Sequence, residues 1–453
     1  PLSQTSTTDL GSGTAFLYSG SNPIQTSVAQ RTIEPTRAAV LRGRVFNNLG
    51  TPLTGVVVSV LNHPELGQTQ TRSDGWFDLA VNGGGLLTVA YTKTGYLPVQ
   101  RQVQAPWQDF VVLPDVVMIP RDTQATTVDL TASAPMQVAQ GSPVTDADGT
   151  RQAALLIPQG TQAQVLLPDG STQAVRTLTL RLTEYTVGPG GPKRMPAPLP
   201  PNSAYTYAVE LGADEAIAKL GGKDVLFSQP VFFYVNNFLN FPVGIPVPMG
   251  YYDNSRGMWV ASDSGRIIKI LSITGGLADL DTDGDGLADK GVALGITDAE
   301  RAQLASRYAV GASLWRVPVS HLSTWDCNWP PWPPPDAQPY KGPPPQTDPQ
   351  PNGPNQCEGS IVGCQNQTLG EALRVAGTPF SLYYQSDRAP GRIAAYSTDI
   401  SLSGSAVPAS LTRIDLEVRV AGWLFTQTFP PTPNQRTTFT WDGLDAYGRR
   451  VQG

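Results

Sequence analysis

Gly43-Arg44-Val45-Phe46-Asn47-Asn48-Leu49-Gly50-Thr51-Pro52-Leu53-Thr54-Gly55-Val56-Val57-Val58 reads as strand, turn, strand. Valines and an aromatic on either side suit a pleated surface, while the Asn, Gly and Pro between them break it. Residues 71–79 repeat the logic: Asp74-Gly75 makes a tight turn and Trp76-Phe77 opens the next strand. Residues 87–96 supply another. His63, beside Pro64 and with no second histidine nearby, reads as a loop residue.

The same grammar runs through the rest of the chain. Thr177-Leu178-Thr179-Leu180-Arg181-Leu182 alternates with period two, as a half-buried strand does. Val231-Phe232-Phe233-Tyr234-Val235 is continuously apolar, which suits a strand covered on both faces. Residues 250–260 predict a hairpin turning at Asp253-Asn254-Ser255, and Ile414-Asp415-Leu416-Glu417-Val418-Arg419-Val420 alternates again. Composition agrees: 45 Gly and 42 Pro with 15% charged residues favour short strands and punctuated turns over helical bundles. A chain of 453 residues holds about three domains.

The fold class is therefore all-β, with several β-sandwich domains in tandem, a short loop-and-helix insert and a proline-rich linker. The expected boundaries are an extended lead-in over 1–38, a sandwich over 39–120 and a second sandwich region over 121–328 with its insert at 279–309. A linker over 329–356 and a last β module over 357–453 complete the chain. Residues 14–18 of the lead-in have the pattern of an added strand. Residues 330–354 contain twelve prolines, which favour an extended, semi-rigid spacer.

Several classes are excluded. A net charge of −6 with scattered Lys and Arg gives no basic footprint for nucleic acid. No apolar run approaches the ~20 residues of a membrane helix; no secretory signal is visible at Pro1, but a fragment or mature chain would lack one anyway. Cys327, Cys357 and Cys364 are too few for a disulfide scaffold. A Cys327–Cys357 staple and a free buried thiol both remain open. With two histidines there is no zinc cluster, and the expectation is a non-enzymatic chain.

The sharpest chemical signal is Asp279-Leu280-Asp281-Thr282-Asp283-Gly284-Asp285-Gly286-Leu287-Ala288-Asp289. Crowded carboxylates repel unless a cation sits among them, and a hard divalent ion takes six to eight oxygens. Counting Asp281 as position one puts Asp283 at three, Asp285 at five, the turn glycine Gly286 at six, the Leu287 carbonyl at seven and Asp289 at nine. The pattern resembles the calcium loops of EF-hands, dockerins and thrombospondin repeats. Asp279, Asp281, Asp283, Asp285, Leu287 and Asp289 are thus the candidate Ca2+ ligands. The departure is Val292 at position twelve, where a bidentate carboxylate is usual, and Asp298 or Glu300 after a wider loop, or water, are the alternative ligands there. Thr297-Asp298-Ala299-Glu300 is a capping box that starts a short helix, with Glu300 closing the cap.

Three separated motifs carry a resemblance to a family. They are Cys357-Glu358-Gly359-Ser360-Ile361-Val362-Gly363-Cys364, then Gly377-Thr378-Pro379-Phe380-Ser381-Leu382-Tyr383-Tyr384-Gln385-Ser386-Asp387-Arg388, then Thr438-Phe439-Thr440-Trp441-Asp442-Gly443-Leu444-Asp445. In that order they resemble the entry module of Rhs (YD-repeat) proteins, the bacterial relatives of teneurins. The resemblance implies a fibronectin-like plug preceding a β-shell that encloses a C-terminal cargo or toxin. Tyr-Asp repeats are absent here, so the chain reads as the N-terminal region of a longer protein, secreted or on a bacterial cell surface. The implied partner is the downstream shell. The rival expectation is a free-standing, calcium-dependent adhesin that holds a protein or glycan ligand.

Residues 43–96 resemble the carboxypeptidase regulatory-like domain, a transthyretin-type seven-stranded sandwich. Through Ile157-Pro158-Gln159-Gly160 and Tyr251-Tyr252-Asp253, residues 121–328 resemble the ankyrin/netrin-receptor β-sandwich. There His321-Leu322-Ser323 matches a self-cleavage tripeptide, which implies Ser323 as nucleophile, His321 as base and Leu322–Ser323 as the cleaved bond.

Overall fold

The computed structural model describes residues 9–167, 169–188, 190–218, 225–330, 334–347, 370–385 and 396–451. Cys357, Cys364 and residues 386–388 of the Rhs-like motif lie outside them. Two compact units divide the chain near Trp332–Pro333. No helix among the described residues is long and apolar enough to cross a membrane.

The first body of the larger unit is a two-sheet sandwich. Strand Ala38–Asn47 pairs antiparallel with Trp76–Asn82, and Phe110–Val112 and Val116–Met118 run parallel to it on its other side. The facing sheet has the order Gln68–Gln70, Val57–Val60, Gly85–Thr92, Val99–Ala105. Alternation turns Val58, Leu79, Val89 and Tyr91 inward, and Phe77 meets Tyr91 edge-on at 5.6 Å. Gly75 makes the expected turn at φ 78°, with the Val45 carbonyl where a side chain would stand.

The lead-in differs from expectation. Residues 14–18 form no strand: Asp9 Oδ1 accepts the Ser12 N–H at 2.7 Å and starts a helical turn, Leu10–Thr14, continued by Ala15–Leu17. Further on, buried Gln25 donates to the carbonyls of Leu66 and Ala80 and accepts the Ala80 N–H. One satisfied amide thus fastens the lead-in to the sandwich.

The second body is a nearly closed barrel. Its strands follow the spatial order Met136–Gln140, Ala154–Pro158, Val225–Asn236, Ser313–Leu322, Met258–Thr274, Pro246–Asp253, Thr324–Cys327, Ala208–Ala213, Thr177–Glu184 and Thr126–Asp129. The first and last strands meet through a side chain: Gln137 donates to the Asp129 carbonyl at 2.7 Å and accepts its N–H at 3.2 Å. Val231, Phe233 and Val235 face the barrel interior, with Trp315 Nε1 donating to Asn237 there. Tyr234 faces outward, under the helix Asp298–Arg307. The continuous apolar run is therefore covered on both faces, as the sequence predicts.

The smaller unit joins strands Gln346–Thr347, Ser397–Ser401 and Arg436–Thr440 in one sheet, beside hairpins Ile414–Val420/Trp423–Phe429 and Gly370–Arg374/Ser381–Gln385. The proline-rich stretch is partly absorbed here: the Tyr340 hydroxyl donates to the Ser401 carbonyl, and Gln346–Thr347 is an edge strand. Asp445 accepts the N–H groups of Tyr447 and Arg449, and Asp442 accepts that of Leu444, so these carboxylates cap a turn.

Candidate functional site

The acidic loop leaves strand Leu277–Asp281 and ends before helix Asp298–Arg307. Gly284 and Gly286 stand at φ 89° and 79°, which lets the chain reverse tightly enough to gather side chains. Carboxylate oxygens of Asp281, Asp283 and Asp285 lie within 4.8 Å of one another. Asp281 is buried, and its two oxygens accept the N–H groups of Gly284 and Gly286 at 2.6 and 3.1 Å. Asp283 and Asp285 each accept the amide two residues on.

The other two aspartates are held elsewhere. Asp279 accepts from Ser272, Thr274 and Arg301, and the Thr274 and Ser272 hydroxyls hold its carboxyl below the usual carboxylate range. Asp289 accepts the N–H and hydroxyl of Thr282 and the N–H of Gly291, bracing the loop's neck. The Leu287 side chain is exposed, and its N–H donates to Asp285.

Glu300 departs from the capping box. Thr297 does cap the helix, accepting the Glu300 N–H at 3.2 Å. The Glu300 carboxylate instead enters the core, 2.7 Å from Arg316 Nε and 2.6 Å from the Tyr234 hydroxyl. The Arg316 guanidinium lies 4.1 Å over the Phe232 ring. A second buried cation, Arg151, pairs with Asp146 and Glu184. One signal in sequence could have pointed to these groups: an arginine inside an otherwise apolar strand such as Leu314-Trp315-Arg316-Val317 needs a buried partner.

His321 and Ser323 meet at a corner. Strand Ser313–Leu322 ends and Thr324–Cys327 begins, with the chain bent at Ser323. Ser323 Oγ is 3.2 Å from His321 Nδ1. The imidazole stacks on Trp325 at 4.9 Å and meets Tyr251 edge-on, and burial lowers its pKa. Leu322 pairs with Val225, the Ser323 carbonyl accepts the Leu211 N–H, and none of residues 321–324 has a positive φ. Nucleophile and base are in reach, but the bond between Leu322 and Ser323 is tied into the ladder on both sides. Nearby Cys327 is buried and is bonded to no other cysteine among the described residues.

Comparison with known proteins places both ends of this architecture. The family model described as the teneurin TTR-like domain matches residues 33–118, and that of the teneurin 1-4 FN-plug domain matches residues 398–453. Teneurin-m of Drosophila melanogaster is 45% identical over 95 residues, covering 21% of this chain and 3% of its own length. Teneurin-3 of Mus musculus is 36% identical over 121 residues, covering 27% and 4%. Teneurin-1 of Gallus gallus is 31% identical over 173 residues, covering 35% and 6%. The chain thus spans a small fraction of the relatives it matches. Residues 33–118 and 398–453 of this one polypeptide are thus similar to the transthyretin-like sandwich and the FN-plug of teneurins.

Proposed function

We propose that this chain is the non-catalytic, structural N-terminal region of a secreted or surface teneurin-like protein, and that its last module plugs a downstream shell of Tyr-Asp repeats enclosing a C-terminal cargo. The observation that carries this reading is the FN-plug match at residues 398–453, following a teneurin sandwich in the same chain. Surface chemistry supports it. The hairpin Gly370–Arg374/Ser381–Gln385 has two strands, marginal in water by itself, and leaves Phe380 and Leu382 70% and 52% exposed. Amides of that hairpin and of Trp423–Phe429 are expected to exchange at least about tenfold more slowly in the longer polypeptide than in residues 1–453. Equal exchange in the two would remove the plug reading.

The acidic loop fits calcium as a structural ion. Oxygens sharing one calcium at about 2.3–2.6 Å can lie up to roughly 5 Å apart, and those of Asp281, Asp283 and Asp285 do. Asp281, Asp283 and Asp285 would hold the ion, the Leu287 carbonyl and water completing its shell.

The Ser323 corner supports a structural role. Self-cleavage by a hydroxyl draws on a strained peptide, and here the peptide is laddered and buried. The purified chain is expected to run as one band on a denaturing gel after prolonged incubation. Two fragments that Ser323→Ala abolishes would make the pair catalytic.

A further inference from the structure

Residues 191–207 bridge the sandwich and the barrel. On the sandwich side, buried Arg101 donates to the carbonyls of Lys193 and Met195 at 2.9 and 3.0 Å, and the Gln100 N–H donates to that of Pro196. On the barrel side, Trp259 Nε1 donates to the Pro198 carbonyl, the Ala204 N–H to Trp329 and the Thr206 hydroxyl to Cys327. Met195 and Leu199 pack with Leu97 and Ile119 of the sandwich and Tyr185 and Ala208 of the barrel.

Beneath this strap, strand Thr324–Cys327 turns Trp325 and Cys327 to the core and so presents Thr324 and Asp326 to the strap. Asp326 is fully buried. Its Oδ2 accepts the Ser203 hydroxyl from the strap and, with the Asn328 amide turned so that its oxygen accepts the Gly250 N–H, the Asn328 nitrogen. Its Oδ1 has no donor in reach among the described residues. The ladder neighbours, Gly250 and Ala208, bring no polar side chain.

The charged groups of the surrounding elements face other partners. Glu210 accepts from Thr324 and Tyr185, and Asp253 caps its own turn. Lys193 pairs with Asp115, Arg194 donates to Asn48, and Arg101 donates to strap carbonyls. Arg121 lies toward Tyr185, the Cys327 thiol faces the core, and the Tyr205 hydroxyl has no partner among the described residues.

We propose that Asp326 is a proton-sensitive latch: protonated, it seats the strap 191–207 between sandwich and barrel, and ionised, it loosens that joint. A neutral carboxyl tolerates an oxygen without a donor, whereas a buried carboxylate does not. Burial pushes the Asp326 carboxyl up to about 7, from 3.8 when hydrated. The closed strap therefore holds a proton that an opened, hydrated strap releases. Opening grows as pH rises from about 4 to about 7 and levels off above that, so acidification tightens the joint.

Hydrogen exchange of the amides in 191–207, corrected for the intrinsic pH dependence, tests the latch. Protection is expected to rise about tenfold per unit as pH falls from 7 to 5, and Asp326→Asn, which mimics the neutral carboxyl, is expected to be flat at the acidic level. The same slope in the Asn variant, or no slope in the unaltered chain, overturns the proposal. Carbon-13 carboxyl titration of the unaltered chain is an independent check: an Asp326 midpoint near 7 supports the latch, and one below about 5 overturns it.

Discussion

Replacing Arg316 with Met is expected to destabilise the barrel by about 3–5 kcal/mol. Glu300 is fully buried on helix Asp298–Arg307, and Arg316 neutralises it from the outward side of strand Ser313–Leu322. Removing the cation leaves a carboxylate in the core with the Tyr234 hydroxyl as its remaining side-chain donor among the described residues. The Arg316 side chain is 4% exposed, so solvent cannot compensate. Exchanging both partners for apolar residues, Glu300→Leu with Arg316→Met, is expected to recover most of the loss, because the charge that made the single change costly is gone. The chain has several bodies that need not unfold together, so the measurement is exchange of the Ser313–Leu322 amides rather than one global melt. A single-variant loss below about 1 kcal/mol would mean that the pair does little to dock the helix.

Calcium is expected to stabilise the same region by about 2.7 kcal/mol when present at a hundredfold its dissociation constant. The gain arises because the folded loop gathers Asp281, Asp283 and Asp285 and the unfolded chain does not. Calcium should exceed magnesium, which demands a tighter octahedron and keeps its waters. Asp283→Asn removes one charge from an exposed position and is expected to weaken binding without unfolding the barrel, whereas Asp281→Asn also disturbs two loop amides. Calorimetric titration joined with melts in calcium and in chelator decides the matter. No heat and superimposable melts would remove the ion from the account.

Local chemistry was legible in the sequence. Asp74-Gly75 and Asp253-Asn254-Ser255 make their turns, Thr297 caps its helix, and strand Ile414–Val420 alternates because each depends on neighbours a few residues away. Long-range partners were not legible. Gln137 closing the barrel against Asp129, Gln25 pinning the lead-in to Ala80, and Glu300 leaving its capping box for Arg316 are set by tertiary packing. The acidic loop shows the division within one motif. Alternation and Gly286 fixed how Asp281, Asp283 and Asp285 converge, but serine, threonine and arginine partners draw Asp279 and Asp289 to other tasks. Asp326 gave no sequence signal at all, since its burial depends on a strap more than a hundred residues earlier.

Residues 398–453, similar to a teneurin FN-plug, are proposed to plug a downstream shell. Electron cryo-microscopy of the longer polypeptide, extending beyond Gly453, tests that proposal most directly. The account predicts a hollow β-shell closed at one end by the module of residues 357–453, with hairpins Gly370–Arg374/Ser381–Gln385 and Ile414–Val420/Trp423–Phe429 against the shell wall. A polypeptide with no hollow shell, or a shell with this module free in solvent outside it, would contradict the account.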